Sequence, residues 1–213
     1  TLRAVPIRAV SFDLFDTLVD LHMDRLPRVE ISGRAVPSTY GLLHAASLQW
    51  HALDFERFAA ELGQSDREGR ESHYAVHREL PTIERFRGFA ARAHGHGFKL
   101  GVGTAGDRHN IAFALQHLAL DPAPHAIVGG DEGLPGKPEP AIFLEVARRL
   151  GVAPACCVVF EDAPFGIEAA RRAGMAAVAV CSSHGAHELA GPHVLAAIDH
   201  YSGAAAAHVL ATL

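Results

Sequence analysis

Five residues in this sequence carry chemistry that an apolar core has no use for. Asp13 ends the apolar run of SFDLFDTLVD, and Thr104 ends FKLGVGT. Lys137 lies in GKPEP ahead of a helix-like stretch, and Glu161-Asp162 end CVVFED. Singly, each has an ordinary structural role as a turn former, a helix start or a charged loop. In order, at successive ends of β-like runs, they compose a set suited to phosphoryl transfer. A carboxylate attacking a phosphate dianion meets like-charge repulsion, so a divalent cation and a lysine are needed to neutralise it. Asp13 and Asp162, supported by Glu161, offer hard oxygen ligands of the kind that suit Mg²⁺. Lys137 supplies a fixed ammonium. The Thr104 hydroxyl and backbone N–H groups beside it, such as that of Ala105, are candidates to hold phosphoryl oxygens. A phosphorylated aspartate at Asp13 would split one hard displacement into two easier ones.

The elements that must position these residues follow from periodicity. Residues 7–12 (IRAVSF) form a continuous apolar run, the pattern of a strand buried on both faces. From residue 98 onward strand-like and helix-like runs alternate: FKLGVGT, DRHNIAFALQHLAL, HAIVGG, EPAIFLEVARRLGV, CCVVFED, GIEAARRAGM, AAVAV, HVLAAI and an alanine-rich tail. Such alternation predicts an α/β fold, a Rossmann-like doubly wound parallel sheet with helices on both faces. Ligands in such folds sit at the carboxyl ends of the strands, where Asp13, Thr104 and Glu161-Asp162 fall. Residues 20–85 interrupt the alternation. A hairpin turning near Ser32-Gly33 is expected there, then helices from Ser38 or Thr39 to Trp50, over 54–80, and from Pro81 to about His94. The expected organisation is a core of residues 1–19 and 86–213, with 20–85 as a small inserted helical cap over the strand ends.

With 213 residues, 49% of them hydrophobic and 20% charged, the chain has the composition of a globular protein and enough length for an ordinary core. A net charge of −5 gives no electrostatic draw to nucleic acid or anionic membrane. No apolar run approaches the ~20 residues that span a bilayer. The β-like start leaves no room for a signal peptide, so a cytoplasmic location is expected. Cys156, Cys157 and Cys181 lack metal-site spacing and are expected to be free thiols in a reducing compartment.

The quoted segments resemble the motifs of the haloacid dehalogenase (HAD) superfamily, in the branch of phosphatases and phosphoglucomutase-like members with a helical cap after strand one. SFDLFDTLVD matches the first motif, GVGTAGD the second, GKPEP the third and FEDAPFGIEAARRAGM the fourth. The resemblance implies Asp13 as nucleophile and Mg²⁺ ligand, the Phe15 carbonyl and Asp162 as further ligands, and Glu161 as holder of the metal's water shell. Thr104 and Lys137 would bind phosphate, with Lys137 also restraining Asp13. The implied activity is a Mg²⁺-dependent phosphatase on a small phosphorylated metabolite.

One position departs from the family. Its first motif reads Asp-x-Asp-x-Thr, and here Phe15 stands where the second aspartate protonates the leaving group. Asp16, one step on, should point elsewhere and serve the turn. His22 is the nearest alternative acid along the chain. Two other activities fit an aromatic residue at this place: a 2-haloacid dehalogenase, whose departing halide needs no proton, and a catalytically impaired binding protein that keeps the phosphate cradle. A phosphonate-cleaving Schiff base is excluded, because the only lysines are Lys99 and Lys137, neither in the inserted segment. A sugar-phosphate mutase would need an acid–base at the Phe15 position.

Overall fold

The computed structural model describes residues 6–15, 17–18, 28–31, 34–37 and 85–213, the two short stretches at 28–31 and 34–37 by backbone alone. The chain divides into two compact units, one of Thr1–Asp20 with Pro81–Leu213 and the other of Leu21–Leu80. In the larger unit the strands are β1 (Ala9–Phe12), β4 (Lys99–Gly103), β5 (Ala126–Val128), β6 (Cys157–Glu161), β7 (Ala176–Val180) and β8 (Val194–Ile198). They form one sheet in the order β5-β4-β1-β6-β7-β8, and every pairing is parallel. The predicted α/β fold is thus observed, with β1 at the centre between β4 and β6. The smaller unit contains β2 (Arg28–Ile31) and β3 (Arg34–Pro37), paired antiparallel with Ile31 opposite Arg34. That register brackets Ser32-Gly33, the expected turn. The helices expected between residues 38 and 80 lie outside the described residues.

Among the described residues the larger unit carries five α-helices: α1 (Phe86–Gly95), α2 (Arg108–Leu118), α3 (Ala141–Leu150) and α4 (Pro164–Arg172), each leading into a strand, and α5 (Gly203–Thr212) after the last strand. Their ends follow local chemistry. Asp107 caps α2 by accepting from the His109 and Asn110 N–H groups. Pro164 opens α4, where its missing N–H costs nothing. The helix expected from Pro81 is described from Phe86 onward, with Arg85 before it in the left-handed region at φ 62°.

Apolar residues alternate between the sheet's two faces. Ala9, Val128, Val159 and Ala177 pack with Ile142, Phe143 and Val146 of α3 and Ile167, Ala169 and Ala170 of α4. On the other face Phe12 and Phe160 meet Phe86, Phe89 and Tyr201, with ring centroids 4.9–6.3 Å apart. That aromatic cluster ends directly beneath Asp13 in the sequence of β1.

Helix α3 lies unusually close to β4, and glycine makes this possible. A Cβ on Gly101 would stand 2.5 Å from Val146 Cγ1 and 3.2 Å from Leu150 Cδ1. One on Gly103 would meet Ile142, Phe143 and Val146 at 3.0–3.1 Å. Close approach matters because the loop entering α3 carries Lys137. Gly101→Ala should therefore lower stability by about 1–3 kcal/mol through overpacking. For a chain of this size that is a fall in thermal midpoint of roughly 2–4 °C per kcal/mol, read by calorimetry.

Candidate active site

Register alone brings the acidic residues together. Phe12 of β1 pairs with Phe160 of β6, and the Asp13 N–H donates to the Phe160 carbonyl at 3.0 Å. One residue past each, Asp13 follows the end of β1 and Glu161 closes β6 beside it. Both are buried, at 7% and 1% exposure, and so is Asp162 at 5%.

Lys137 reaches into this group from the loop ahead of α3. Its Nζ donates to Asp13 Oδ1 and to Glu161 Oε1, each at 2.5 Å. The ammonium also stands 4.8 Å from the centroid of the Phe143 ring on α3, within range of a cation–π contact. Glu161 Oε2 accepts from the backbone N–H groups of Asp162 and Ala163, both at 2.8 Å. Helix α4 leaves no slack around it, since a Cβ on Gly166 would fall 1.8 Å from Glu161 Oε1. Glu161 is thus wedged between a lysine, two N–H groups and a glycine that must stay a glycine. Asp162 accepts from the Thr17 hydroxyl at 2.8 Å and from the Ser183 hydroxyl on the far side.

Of the other expected site residues, Thr104 is buried at 1% exposure, and its Oγ1 accepts from the Gly106 N–H at 3.2 Å. Ala105 is exposed. The Phe15 ring lies over this same loop, for a Cβ on Gly106 would stand 2.6 Å from Phe15 Cε2. An aromatic ring thereby occupies the space between the Asp13 turn and the Thr104–Gly106 loop. Asp16 and His22 lie outside the described residues. Ser183 was not foreseen, although a sequence signal exists: CSSHG follows the strand AAVAV at the same sheet edge as the other candidates.

Three carboxylates are buried here, and the one ammonium bonds to two of them, Asp13 and Glu161. The Asp13 carboxyl is raised from 3.8 to about 7, chiefly by burial and further by Glu161 and Asp162, against the pull of Lys137. Burial would lower the Lys137 ammonium, but Asp13 and Glu161 outweigh that and hold it well above its ordinary value. The Tyr201 phenol is pushed up by burial and by the three carboxylates. Among the described residues, no three Asp, Glu, His or Cys side chains converge as a ready-made metal cage. Mg²⁺ does not need one, since it commonly takes one or two carboxylates and keeps several waters. The surplus of negative charge and the hard oxygen donors of Asp13 and Asp162 fit such a cation.

The comparisons agree with this architecture. A model of the haloacid dehalogenase-like hydrolases matches residues 7–174, and the chain belongs to that family. Over 81 residues, 38% of this chain and 43% of the relative, it is 48% identical to fructose-1-phosphate phosphatase YqaB of Escherichia coli (strain K12). Over 79 residues, 37% of this chain and 35% of the relative, it is 44% identical to β-phosphoglucomutase of Bacillus subtilis (strain 168). Over 96 residues, 45% of each, it is 38% identical to validoxylamine A 7'-phosphate phosphatase of Streptomyces hygroscopicus subsp. limoneus. The chain thus spans less than half the length of these relatives. A HAD hydrolase of family IA, variant 3, from Entamoeba histolytica superposes with a TM-score of 0.67 at 21% identity, covering 97% of this chain and all of that one. A crystal structure of a β-phosphoglucomutase-like protein from Thermotoga maritima gives 0.65 at 24%, covering 90% and 94%. At these identities the likeness shows the fold.

The charge imbalance makes stability depend on pH. A carboxyl with a raised folded-state pKa holds its proton more tightly folded than unfolded. For Asp13 the folded state is therefore favoured least above about pH 7, with stability falling as pH climbs from about 4 to 7. In chelator the thermal midpoint, read by calorimetry, should drop across that window. Lys137→Met should steepen the fall and cost about 3–5 kcal/mol near neutrality, the scale for stripping one partner from a buried ion cluster.

Proposed function

We propose that this chain is a Mg²⁺-dependent phosphatase of small phosphorylated metabolites, with Asp13 as the nucleophile. The observation that carries the proposal is the buried cluster in which Lys137 holds Asp13 and Glu161 beside Asp162. Asp13, Asp162 and the Phe15 carbonyl are the proposed ligands, with Glu161 behind them. When bound, the cation would supply charge neutralisation for the incoming phosphate and keep Asp13 ionised. Substrate selection we assign to residues 20–85. Phosphorylated sugars are the proposed class, since the relatives include a fructose-1-phosphate phosphatase and a phosphorylated carbohydrates phosphatase.

The chemistry follows from the residues. Lys137 holds Asp13 Oδ1, which leaves Oδ2 to attack phosphorus. The new Asp13–phosphorus bond forms as the ester oxygen–phosphorus bond breaks, and the alkoxide takes a proton. Water then attacks phosphorus and releases inorganic phosphate with the Asp13 carboxylate regenerated. Lys137 neutralises charge on the phosphoryl oxygens in both steps, and the Ala105 N–H is the proposed backbone donor to them, since the Thr104 and Gly106 N–H groups already donate to the Val128 carbonyl and Thr104 Oγ1.

Phe15 sets the limit on this reaction. The absent acid is worth about 10²–10⁴-fold in rate. The leaving group must therefore depart as a weak base, or draw its proton from water or the inserted segment. A mutase, which needs an acid–base at that position in both directions, is disfavoured despite the similarity to β-phosphoglucomutase. Dehalogenation is disfavoured by the carboxylates, which would repel an anionic substrate and a departing halide.

The test is p-nitrophenyl phosphate hydrolysis with Mg²⁺ and with chelator, beside Asp13→Asn. Turnover should require Mg²⁺, fall by at least about 10³-fold in the variant, and exceed that of an alkyl phosphate by more than in a relative bearing the acid. Mg²⁺-independent turnover, or full activity in Asp13→Asn, would refute the proposal. Stable phosphate-ester binding without turnover would instead favour the binding protein.

A further inference from the structure

Asp162 is gripped from two sides. Thr17 Oγ1, in the turn after β1, donates to Asp162 Oδ1 at 2.8 Å. Ser183 Oγ, in the loop after β7, donates to Oδ2. These donors come from different strands and meet different oxygens of one carboxylate. A single hydrogen bond leaves a carboxylate able to swing about χ2, whereas one on each oxygen fixes its plane.

A second interaction holds Ser183 itself. His184 Nδ1 stands 2.9 Å from Ser183 Oγ and 3.0 Å from the Asp162 carbonyl. The protons in this ring can be assigned. Ser183 Oγ also stands 3.1 Å from the Asp162 carbonyl, but the nearer and charged Oδ2 is the stronger acceptor for its one proton, and Nδ1 carries a proton because a bare nitrogen there would face the lone pairs of a carbonyl that only accepts. Ser183 Oγ then accepts from the same N–H. His184 thus orients the Ser183 hydroxyl towards Asp162 and ties the loop to the backbone of the residue it serves.

We infer that Ser183, oriented by His184, is a positioning residue that fixes the Asp162 carboxylate for divalent-cation binding. The inference rests on the proposed cation-dependent phosphatase, and it adds a role for the loop after β7. Outer partners of metal ligands typically govern affinity by about 10–100-fold. Because Ser183 is exposed, its loss should leave the fold intact and act on cation affinity.

The experiment is isothermal titration of Mg²⁺ alone into the full chain and into Ser183→Ala, Ser183→Thr and His184→Ala. Ser183→Ala should bind Mg²⁺ at least about 10-fold more weakly, with its thermal midpoint in chelator unchanged. Ser183→Thr, which keeps the hydroxyl, should bind nearly as the parent does, and His184→Ala should fall between. The Mg²⁺ concentration for half-maximal turnover should shift in step, while kcat recovers at saturating Mg²⁺. Equal affinity in the parent and Ser183→Ala would overturn the inference and leave the phosphatase reading standing. So would an equal loss in Ser183→Ala and Ser183→Thr. A parent that binds no Mg²⁺ would overturn both.

Discussion

An ammonium buried between two carboxylates constrains everything around it. Lys137 stands 2.5 Å from both Asp13 and Glu161, in a place where separating the charges would leave each uncompensated in a medium of low polarity. Holding that arrangement requires three segments to arrive together. The β1–β6 register sets Asp13 beside Glu161. The glycines of β4 let α3 settle against the sheet, which brings the Lys137 loop to the strand ends. Gly166 in α4 clears the space that Glu161 fills. Beneath lies the aromatic cluster of Phe12, Phe86, Phe89, Phe160 and Tyr201, which keeps water out and raises the Asp13 carboxyl.

The cluster is electrostatically incomplete. Two of its three carboxylates lean on the lysine and the third on two hydroxyls, so the group as a whole carries excess negative charge. An active site for a phosphate dianion should not be left negative, and the proposed hard divalent cation would offset that charge. Phe15 separates two tasks that the family's first motif usually combines. The nucleophile and its lysine remain, while a ring that packs over Gly106 replaces the group expected to handle the leaving-group proton. Reactivity would then be governed by the leaving group, and the choice of substrate becomes partly a choice of how easily the alcohol departs.

How far these features were legible in the sequence depends on their range. Strand ends were legible, because an apolar run halting at Asp13 or Glu161 is a local pattern, and so was the hairpin bracketed by Ile31 and Arg34. The alternation after residue 98 foretold the parallel sheet. The start of α1 at Phe86 was not legible, since Arg85 enters it from the left-handed region with no side-chain cap to announce it. Ser183 was missed because its meeting with Asp162 joins residues 21 positions apart across two strand ends. The contact of Phe15 with Gly106 is likewise tertiary: the substitution was visible in the sequence, but the destination of its ring was not.

The central claim is that Asp13 takes the phosphoryl group. The most direct measurement is to quench the enzyme in acid during turnover of p-nitrophenyl phosphate with Mg²⁺, reduce it with borohydride and map the chain by mass spectrometry. An acyl phosphate is reduced to the alcohol, so the account predicts homoserine at position 13, formed only when substrate and Mg²⁺ are both present. Turnover with Asp13 unmodified, or with the reduced residue at Asp16, would contradict it.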